Sequence, residues 1–325
     1  MYELSLVIPV YNEEESLTTL YGEIVEVVDQ LGAELELIFV DDGSTDRSWE
    51  IISSLAANDA RVKAVRFRRN FGKADALDVG FKTATKPIVM TLDADLQDDP
   101  KEIPDFLRLL DSGYDVVSGW KKKRHDPWHK VLPSRVFNAM VSRLTGVKLH
   151  DHNCGMKCYR REIFDEITLY GELHRFVPAL AAARGFKVGE KVVEHRARKF
   201  GVSKYGFNRF IKGFLDLLTV KFVTSYGQRP QHLLGTIGLT SFAVGAITML
   251  WMACHWILAR IPCLGLAEYH LSGRPAVVYS AALLLLGAQF LTVGVVAELV
   301  VSYQNRKGRE YSIKERIGGK EEKDR

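Results

Sequence analysis

The chain has 325 residues and carries 44 Lys and Arg against 40 Asp and Glu, which gives a net charge of +4. Apolar residues make up 47% of the chain and charged residues 26%, a composition that excludes a disordered chain, a collagen-like repeat and a disulfide scaffold. The length predicts about two domains.

Strand-like and helix-like segments alternate through the first part of the chain. Short apolar runs predict four strands, at Leu4–Val10, Leu35–Val40, Val62–Phe67 and Ile88–Leu92. Helical periodicity predicts three helices between them, at Glu13–Leu31, Asp46–Ala57 and Lys73–Thr83. This alternation predicts an α/β fold with a mostly parallel sheet and flanking helices. Ligands of such sheets bind beyond the carboxyl ends of the strands.

Two long stretches without Asp, Glu, Lys or Arg follow, at Leu233–Ala259 and Ala276–Ala297. Each exceeds the ~20 apolar residues that cross a bilayer as a helix. We interpret them as a two-helix transmembrane hairpin (spans 233–259 and 276–302) rather than as core helices of a soluble protein. Upstream, apolar residues at helical spacing in Phe207–Phe222 predict an amphipathic helix in the membrane interface, with an ordinary surface helix as the alternative.

Basic residues flank the predicted hairpin unequally. The tail Tyr303–Arg325 holds eight basic residues, and the connector Arg260–Pro275 holds two. The positive-inside rule therefore predicts a cytoplasmic (inner) membrane protein with both chain ends in the cytoplasm. The first residues, MYELSLVIPV, lack the basic region of a signal peptide, as expected for a cytoplasmic N-terminal domain. The predicted domains are 1–202 (α/β), 203–230 (juxtamembrane), 231–302 (hairpin) and 303–325 (tail).

Polar clusters follow three of the predicted strands: Tyr11-Asn12-Glu13, Asp41-Asp42 and Asp93-Ala94-Asp95. Because side chains alternate along a strand, Asp93 and Asp95 are predicted to point the same way. With Gln97 they would form an open oxygen site suited to Mg²⁺ or Mn²⁺ that bridges phosphates. Two helix-capping aspartates are the alternative.

Other short motifs are less informative. No GxGxxG follows the first strand, and Gly72-Lys73 lacks the spacing of a P-loop, so dinucleotide-binding and Walker A sites are disfavoured. Cys154 and Cys158 lie near His150 and His152, which makes a metal site conceivable. Reduced structural thiols are the favoured interpretation.

Four successive segments resemble family 2 glycosyltransferases with a GT-A fold: SLVIPVYNEEESL, VDDGSTD, RNFGKADALDVGF and TLDADLQDDPKEIP. Three later segments, followed by the two spans, resemble the branch that acts on polyprenyl phosphates: HDHNCGMKCYRREIF, ELHRFVPALA and EHRARKFGVSKYG. This branch includes dolichol-phosphate mannosyltransferase and the undecaprenyl-phosphate glucosyl- and aminoarabinosyl-transferases. The resemblance covers residues 4 to 302.

The resemblance implies a role for each matching residue. The nucleotide sugar would be held by Pro9, Tyr11, Glu13, Val40, Asp42, Asp93 and Ala94. Mg²⁺ or Mn²⁺ on the diphosphate would be held by Asp93, Asp95 and Gln97. Donor or acceptor phosphate would be bound by Lys121, Arg124, Arg135, Arg198, Ser203 and Lys204. Asp151 matches an acidic position proposed as catalytic base, and would act with Asp93 and Asp95.

Two residues depart from the family pattern. Lys121 stands where Arg is common, and Met156 stands where Phe is usual. Lysine cannot form the two parallel hydrogen bonds that arginine makes to a phosphate, so the phosphate contact at this position is less specific.

The expected reaction is inverting transfer of a hexose from a nucleotide sugar to a polyprenyl phosphate in the bilayer. UDP-glucose is the first expected donor, followed by GDP-mannose or another UDP-sugar. A processive polysaccharide synthase is disfavoured because the chain contains no Arg-Trp pair. A non-catalytic membrane-anchored binding protein is the other alternative. Nucleic acid is not an expected partner, while small residues in the spans leave a homo-oligomer open.

Overall fold

Strands and helices alternate in the computed structural model, which describes residues 1–122, 128–167, 173–196, 215–222, 229–261, 270–271 and 273–305. These residues fall into two compact units, one running from Met1 to Val220 and one beginning at Lys221.

The first unit contains a seven-stranded sheet of order β3-β2-β1-β4-β6-β5-β7. Its strands are β1 (Glu3–Val10), β2 (Glu34–Asp41), β3 (Val62–Arg66), β4 (Ile88–Thr91), β5 (Val116–Trp120), β6 (Lys157–Arg160) and β7 (Val188–Val192). All neighbouring strands are parallel except at β6, which is antiparallel to both β4 and β5. The predicted α/β fold with a mostly parallel sheet is therefore confirmed.

Helices cover both faces of the sheet. They are α1 (Leu17–Leu31), α2 (Ser48–Asn58), α3 (Lys73–Thr83), α4 (Ile103–Asp111), α5 (Trp128–Thr145), α6 (Ile163–Glu166), α7 (Val177–Ala183) and α8 (215–222). The part of the predicted amphipathic helix that precedes α8 lies outside the described residues. Within α8, Leu217 and Val220 are buried.

Successive residues of β1 and β2 point to opposite faces, as the pleat of a strand requires. Leu6 and Leu37 belong to the apolar layer that includes α1 and α4, whereas Val7 and Ile38 belong to the layer that includes α3 and α7. Both faces of the sheet are therefore buried, which explains why its strands read as continuous apolar runs.

Two of the element boundaries that differ from the sequence expectation affect the predicted site. Helix α1 begins at Leu17 instead of Glu13, because Glu13–Ser16 forms a turn in which the Ser16 N–H donates to the Glu13 carbonyl at 3.1 Å. Strand β4 ends at Thr91, two residues before Asp93. The alternation argument used for Asp93 and Asp95 is therefore wrong, since both residues lie in the turn that follows the strand.

The second unit contains two long apolar helices, α9 (Pro230–Leu258) and α10 (Pro275–Asn305). Both are long and apolar enough to span a membrane, and most of their residues are exposed, unlike the core helices of a soluble protein. Along α9, Gly238, Gly245 and Met252 are buried at intervals of seven residues, so they form one stripe facing α10. The Gln231 N–H at the start of α9 donates to Glu298 Oε2 at 3.2 Å, which satisfies one of the free N–H groups of that helix end.

Gly287 on α10 lies at a close contact between the two helices. A Cβ added there would lie 2.6 Å from the Phe242 backbone nitrogen and 2.7 Å from the Gly238 carbonyl oxygen. Both neighbours are backbone atoms, so the helices would have to separate. Small residues of this kind allow membrane helices to pack closely.

We expect Gly287→Ala to lower the free energy of unfolding of the hairpin by about 1–3 kcal/mol, because the added methyl group overpacks the interface. Thermal unfolding of the full chain in detergent measures the change. Gly235→Ala is the matched control, since its Cβ would meet only the Gln231 side chain at 3.6 Å. Equal unfolding temperatures for the two variants would contradict this packing.

A buried carboxylate, Glu36, joins three segments of the first unit. It accepts hydrogen bonds from the Lys63 ammonium, the Ser5 hydroxyl and the Thr85 N–H and hydroxyl groups. Burial alone would raise the pKa of Glu36, but these hydrogen bonds outweigh it and lower the pKa to about 2. The ionised form therefore stabilises the fold above the unfolded-state pKa, and this contribution is lost as the pH falls towards 2.

We expect Glu36→Gln to destabilise the chain by about 1–2 kcal/mol at pH 7, because it removes the charge-assisted hydrogen bonds. The difference from the wild type should narrow as the pH falls from about 4.5 to about 2. Denaturant unfolding across this pH range measures it. A difference independent of pH would refute the assigned ionisation.

Candidate active site

The loops that follow β1 and β2 are joined by hydrogen bonds at the carboxyl edge of the sheet. The Asn12 N–H donates to Ser44 Oγ at 2.9 Å, and Asn12 Oδ1 accepts the Thr45 N–H at 2.8 Å. The Glu13 N–H donates to Ser48 Oγ at 2.9 Å. Asn12 adopts a left-handed backbone with φ of 54°, which asparagine tolerates better than most residues. The predicted clusters Tyr11-Asn12-Glu13 and Asp41-Asp42 therefore lie in loops that are hydrogen-bonded to each other.

Asp42 fixes a third loop at the same edge. Its two carboxylate oxygens accept the backbone N–H groups of Phe71 at 2.7 Å and Gly72 at 2.9 Å. Burial raises the pKa of Asp42 despite these hydrogen bonds. Because Gly72 immediately precedes α3, Asp42 also sets the position of Lys73, the first residue of that helix.

The third predicted cluster forms a turn after β4. The Gln97 N–H donates to Asp95 Oδ1 at 3.2 Å, and the Gln97 carbonyl accepts the Arg196 N–H at 3.0 Å. Leu96 lies between them with a positive φ of 59° and a buried side chain. Burying Leu96 offsets the cost of this left-handed conformation, which is high for a branched apolar residue.

The Asp93 carboxylate is held from two sides. The Lys73 ammonium forms an ion pair with Asp93 Oδ1. On the other side lies the backbone of Gly155, where an added Cβ would be 2.5 Å from Asp93 Cγ. Burial alone would raise the pKa of Asp93, but the ammonium groups of Lys73, Lys121 and Lys157 outweigh it and lower the pKa. Asp93 is therefore ionised at neutral pH.

The Asp93–Asp95 turn suits a divalent cation that arrives with phosphates. Mg²⁺ is commonly held by one or two carboxylates together with substrate phosphate oxygens and water. The ammonium of Lys73 shows that a cation is accommodated against Asp93, and Gly155 leaves room for the carboxylate. Among the described residues no group of three His, Cys, Asp or Glu side chains suits a metal. The predicted ligand set is of another kind, since it combines the two carboxylates with the Gln97 amide.

Four charged residues at the site differ from the sequence expectation. No role was predicted for Lys73, Lys157 or Asp98, and Lys121 was predicted to bind phosphate. Lys121, a predicted phosphate ligand, forms a largely buried ion pair with Asp98, with Nζ 2.7 Å from Oδ1. Lys157 lies on β6 between Thr91 of β4 and Ser118 of β5, and its Nζ donates to the His152 carbonyl at 2.9 Å. Burial lowers the pKa of Lys157 to about 8. The sequence signal for Lys73, Lys157 and Asp98 is that they lie within the quoted family segments RNFGKADALDVGF, HDHNCGMKCYRREIF and TLDADLQDDPKEIP.

Asp151 is buried beside this lysine cluster. Its Oδ1 accepts the Asn153 N–H at 3.1 Å, and its charge acts on Lys157. The neighbouring histidines have other partners, since the His150 ring stacks on Trp120 at 3.9 Å and Ser142 Oγ lies 2.9 Å from His152 Nε2.

The thiols of Cys154 and Cys158 are free and buried. Burial raises the pKa of both. The thiols are therefore protonated at neutral pH, which is unlike thiolates that ligate a metal.

The other predicted residues are placed as follows. Pro9 of β1 and Val40 of β2 are register partners, and Val40 is fully buried. Tyr11 and Glu13 are half-buried in the loop after β1, and Ala94 is buried in the turn after β4. Arg135 is exposed on α5. Arg124, Arg198, Ser203 and Lys204 lie outside the described residues.

Residues 5–168 match the glycosyl transferase family 2. The chain belongs to this family. Its members are named for glycosyl transfer, and the chain is accordingly a glycosyltransferase. The segments SLVIPV and TLDADLQ, on which the sequence resemblance depends, both lie within the matched range.

Relatives match over nearly the whole chain. The dodecaprenyl-phosphate galacturonate synthase of Rhizobium johnstonii is 37% identical over 304 residues, 92% of this chain and 87% of that protein. The undecaprenyl-phosphate 4-deoxy-4-formamido-L-arabinose transferase of Proteus mirabilis is 34% identical over 321 residues, 98% of this chain and 95% of that protein. The two apolar helices therefore fall inside the matched length, and together with these relatives they indicate a membrane protein.

Solved structures share the fold of the first unit. Glucosyl-3-phosphoglycerate synthase from Mycobacterium tuberculosis, in complex with Mn²⁺, UDP and phosphoglyceric acid, superposes with a TM-score of 0.54 at 18% identity. The match covers 69% of this chain and 78% of that structure. The same enzyme with phosphoglyceric acid alone gives a TM-score of 0.52 at 21% identity. The likeness confirms the GT-A type of fold.

We expect Gly155→Ala to weaken Mn²⁺ binding by about tenfold or more, because the new methyl group displaces the Asp93 carboxylate. The loss of free Mn²⁺ signal in electron paramagnetic resonance measures it. Gly22→Ala, where a Cβ meets nothing within 4 Å, is the matched control. Unchanged Mn²⁺ affinity in Gly155→Ala would show that the Asp93 carboxylate is not a ligand.

Proposed function

We propose that the chain transfers a hexose from a nucleotide sugar to a polyprenyl phosphate, with inversion at the anomeric carbon. The observation that carries this proposal is the ion pair of Asp93 with Lys73 at the carboxyl edge of the sheet, where the charges of Lys121 and Lys157 also act on Asp93. Carboxylates there suit a divalent cation, and the lysines suit the phosphates that the cation would bridge. The relatives named for dodecaprenyl and undecaprenyl phosphate support the acceptor.

The leaving nucleoside diphosphate must be stabilised as its bond to the sugar breaks. Asp93 and Asp95, with Gln97, would hold Mg²⁺ or Mn²⁺, which supplies Lewis-acid stabilisation of the diphosphate when bound. The Mn²⁺ and UDP in the related fold support this choice. Lys73 of α3 pairs with Asp93 and would take up negative charge that develops on the leaving group.

The acceptor phosphate needs little activation. The second pKa of a phosphate monoester is about 6, so its oxygen is already largely anionic at neutral pH. That oxygen would attack the anomeric carbon directly, and the bond to the diphosphate would break on the opposite side. Asp151 is buried, with Oδ1 already accepting the Asn153 N–H, which favours a positioning role over that of a general base.

The nucleoside would lie where the loops after β1 and β2 are joined, near Pro9, Tyr11, Glu13, Val40 and Asp42. We propose UDP-glucose as the first donor to test, followed by GDP-mannose and other UDP-sugars. The names of the relatives add nucleotide-linked galacturonate and 4-deoxy-4-formamido-L-arabinose to the panel.

We further propose that the hairpin α9–α10 crosses the cytoplasmic membrane with both chain ends in the cytoplasm. The excess of Lys and Arg in the tail over the connector supports this orientation. An acceptor phosphate at the bilayer surface would then meet the first unit on the side where nucleotide sugars are available. The proposed contacts to phosphate remain Lys121, Arg124, Arg135, Arg198, Ser203 and Lys204.

The full chain in lipid nanodiscs containing undecaprenyl phosphate provides the test, with labelled donors and Mn²⁺ or Mg²⁺. Label in an acid-labile lipid supports the proposal. Long water-soluble polymer would indicate a processive synthase, and no transfer with any donor would indicate a non-catalytic binding protein.

We expect Asp95→Asn to lower the rate of transfer by about a hundredfold or more, since the amide loses the charge that holds the cation. Initial rates in nanodiscs measure this loss. Asp78→Asn is the matched control, because Asp78 pairs with Lys82 on α3. A near-normal rate in Asp95→Asn, with Asp78→Asn also normal, would contradict the metal assignment.

A further inference from the structure

The ion pair between Lys73 and Asp93 occupies the carboxylate that the proposed function assigns to the metal. Both side chains keep access to solvent, with 30% of Lys73 and 29% of Asp93 exposed. The pair is therefore within reach of an incoming cation and of an incoming diphosphate.

Contacts with other residues fix the positions of both Lys73 and Asp93. Asp42 holds the Phe71 and Gly72 N–H groups and so fixes the start of α3, where Lys73 stands. Gly155 closes the other side of the Asp93 carboxylate, because an added Cβ would lie 2.5 Å from Asp93 Oδ2. Asp93 thus has little room to turn away from Lys73.

A divalent cation at Asp93 and an ammonium at the same carboxylate repel one another, the more so in a half-buried site. The lysine side chain is a flexible four-carbon stem, so its ammonium can leave Asp93 without a change of backbone. A nucleoside diphosphate would offer that ammonium a new anionic partner.

We propose that Lys73 is a built-in counter-cation that occupies Asp93 until the donor binds, and that it then moves to the diphosphate as the metal takes its place. This inference rests on the proposed function. Metal and nucleotide then bind cooperatively. The nucleotide gives the Lys73 ammonium an anionic partner away from Asp93, and the metal replaces that ammonium at the carboxylate. The binding of each therefore lowers the free-energy cost of binding the other. Lys73 is accordingly a positioning residue for the metal and a ligand of the donor phosphate.

Mn²⁺ binding to the full chain in nanodiscs tests the inference without turnover. Free Mn²⁺ is followed by electron paramagnetic resonance, alone and with UDP or GDP. We expect Lys73→Met to bind Mn²⁺ alone about tenfold more tightly than the wild type, and the enhancement by nucleotide to fall by a similar factor. Lys73→Arg, which keeps the charge, should retain the weak binding of Mn²⁺ alone.

Lys82→Met is the matched control, because Lys82 lies on the same helix with 71% of its side chain exposed and pairs with Asp78. Circular dichroism establishes that each variant is folded. Equal or weaker Mn²⁺ affinity in Lys73→Met, with binding that Asp95→Asn still abolishes, would overturn this inference alone. Absence of any Mn²⁺ binding that depends on Asp95 would overturn the metal assignment, and the inference with it.

Discussion

The carboxylate of Asp42 connects two loops that lie about 30 residues apart in the sequence, the loop after β2 and the loop before α3. It stands at the end of β2 and accepts two backbone N–H groups from the loop that precedes α3. Both hydrogen bonds are partly buried and have an ionisable acceptor, which makes them stronger than hydrogen bonds between neutral groups. Once they are formed, the first residue of α3 has one position, and Lys73 reaches Asp93. The geometry of the site follows from this constraint.

Side chains of opposite charge are concentrated around β4 and β6. Lys73, Lys121 and Lys157 all act on Asp93, while Asp98 and Asp151 balance Lys121 and Lys157. Charges of either sign are expensive to bury alone, and removing one member would leave another uncompensated. Such a cluster contributes little to net stability, and its mixed charge suits the ligand that we propose, a metal-bound diphosphate.

The two helices of the second unit associate through a different physical interaction. In a bilayer the apolar side chains gain nothing by leaving lipid, so helices associate through close packing of small residues. Gly238, Gly245 and Gly287 provide that contact between α9 and α10. Glu298 is accommodated there because the first N–H groups of α9 need an acceptor. The polar chemistry and the apolar anchor therefore occupy separate parts of the chain.

Much of the fold could be predicted from local pattern. The bounds of α3 agree with the predicted Lys73–Thr83. Helix α9 contains the first uncharged stretch except its last residue, Ala259, and α10 contains the second, because periodicity and length without charge are properties of consecutive residues. The motif around Asp93 and Asp95 indicated the family for the same reason. Local pattern predicted that β4 ends at Leu92, whereas the strand ends at Thr91. The positions of Asp93 and Asp95 are set by the turn that follows the strand.

The sequence by itself determined the fold class, the membrane hairpin and the family, since each depends on patterns of neighbouring residues. Only the tertiary structure revealed that Lys73 pairs with Asp93, that Lys121 pairs with Asp98, and that Gly155 confines the Asp93 carboxylate. The partners in these contacts are separated by about 20 to 60 residues, and pairing across such distances is set by strand order and register, which no local pattern encodes.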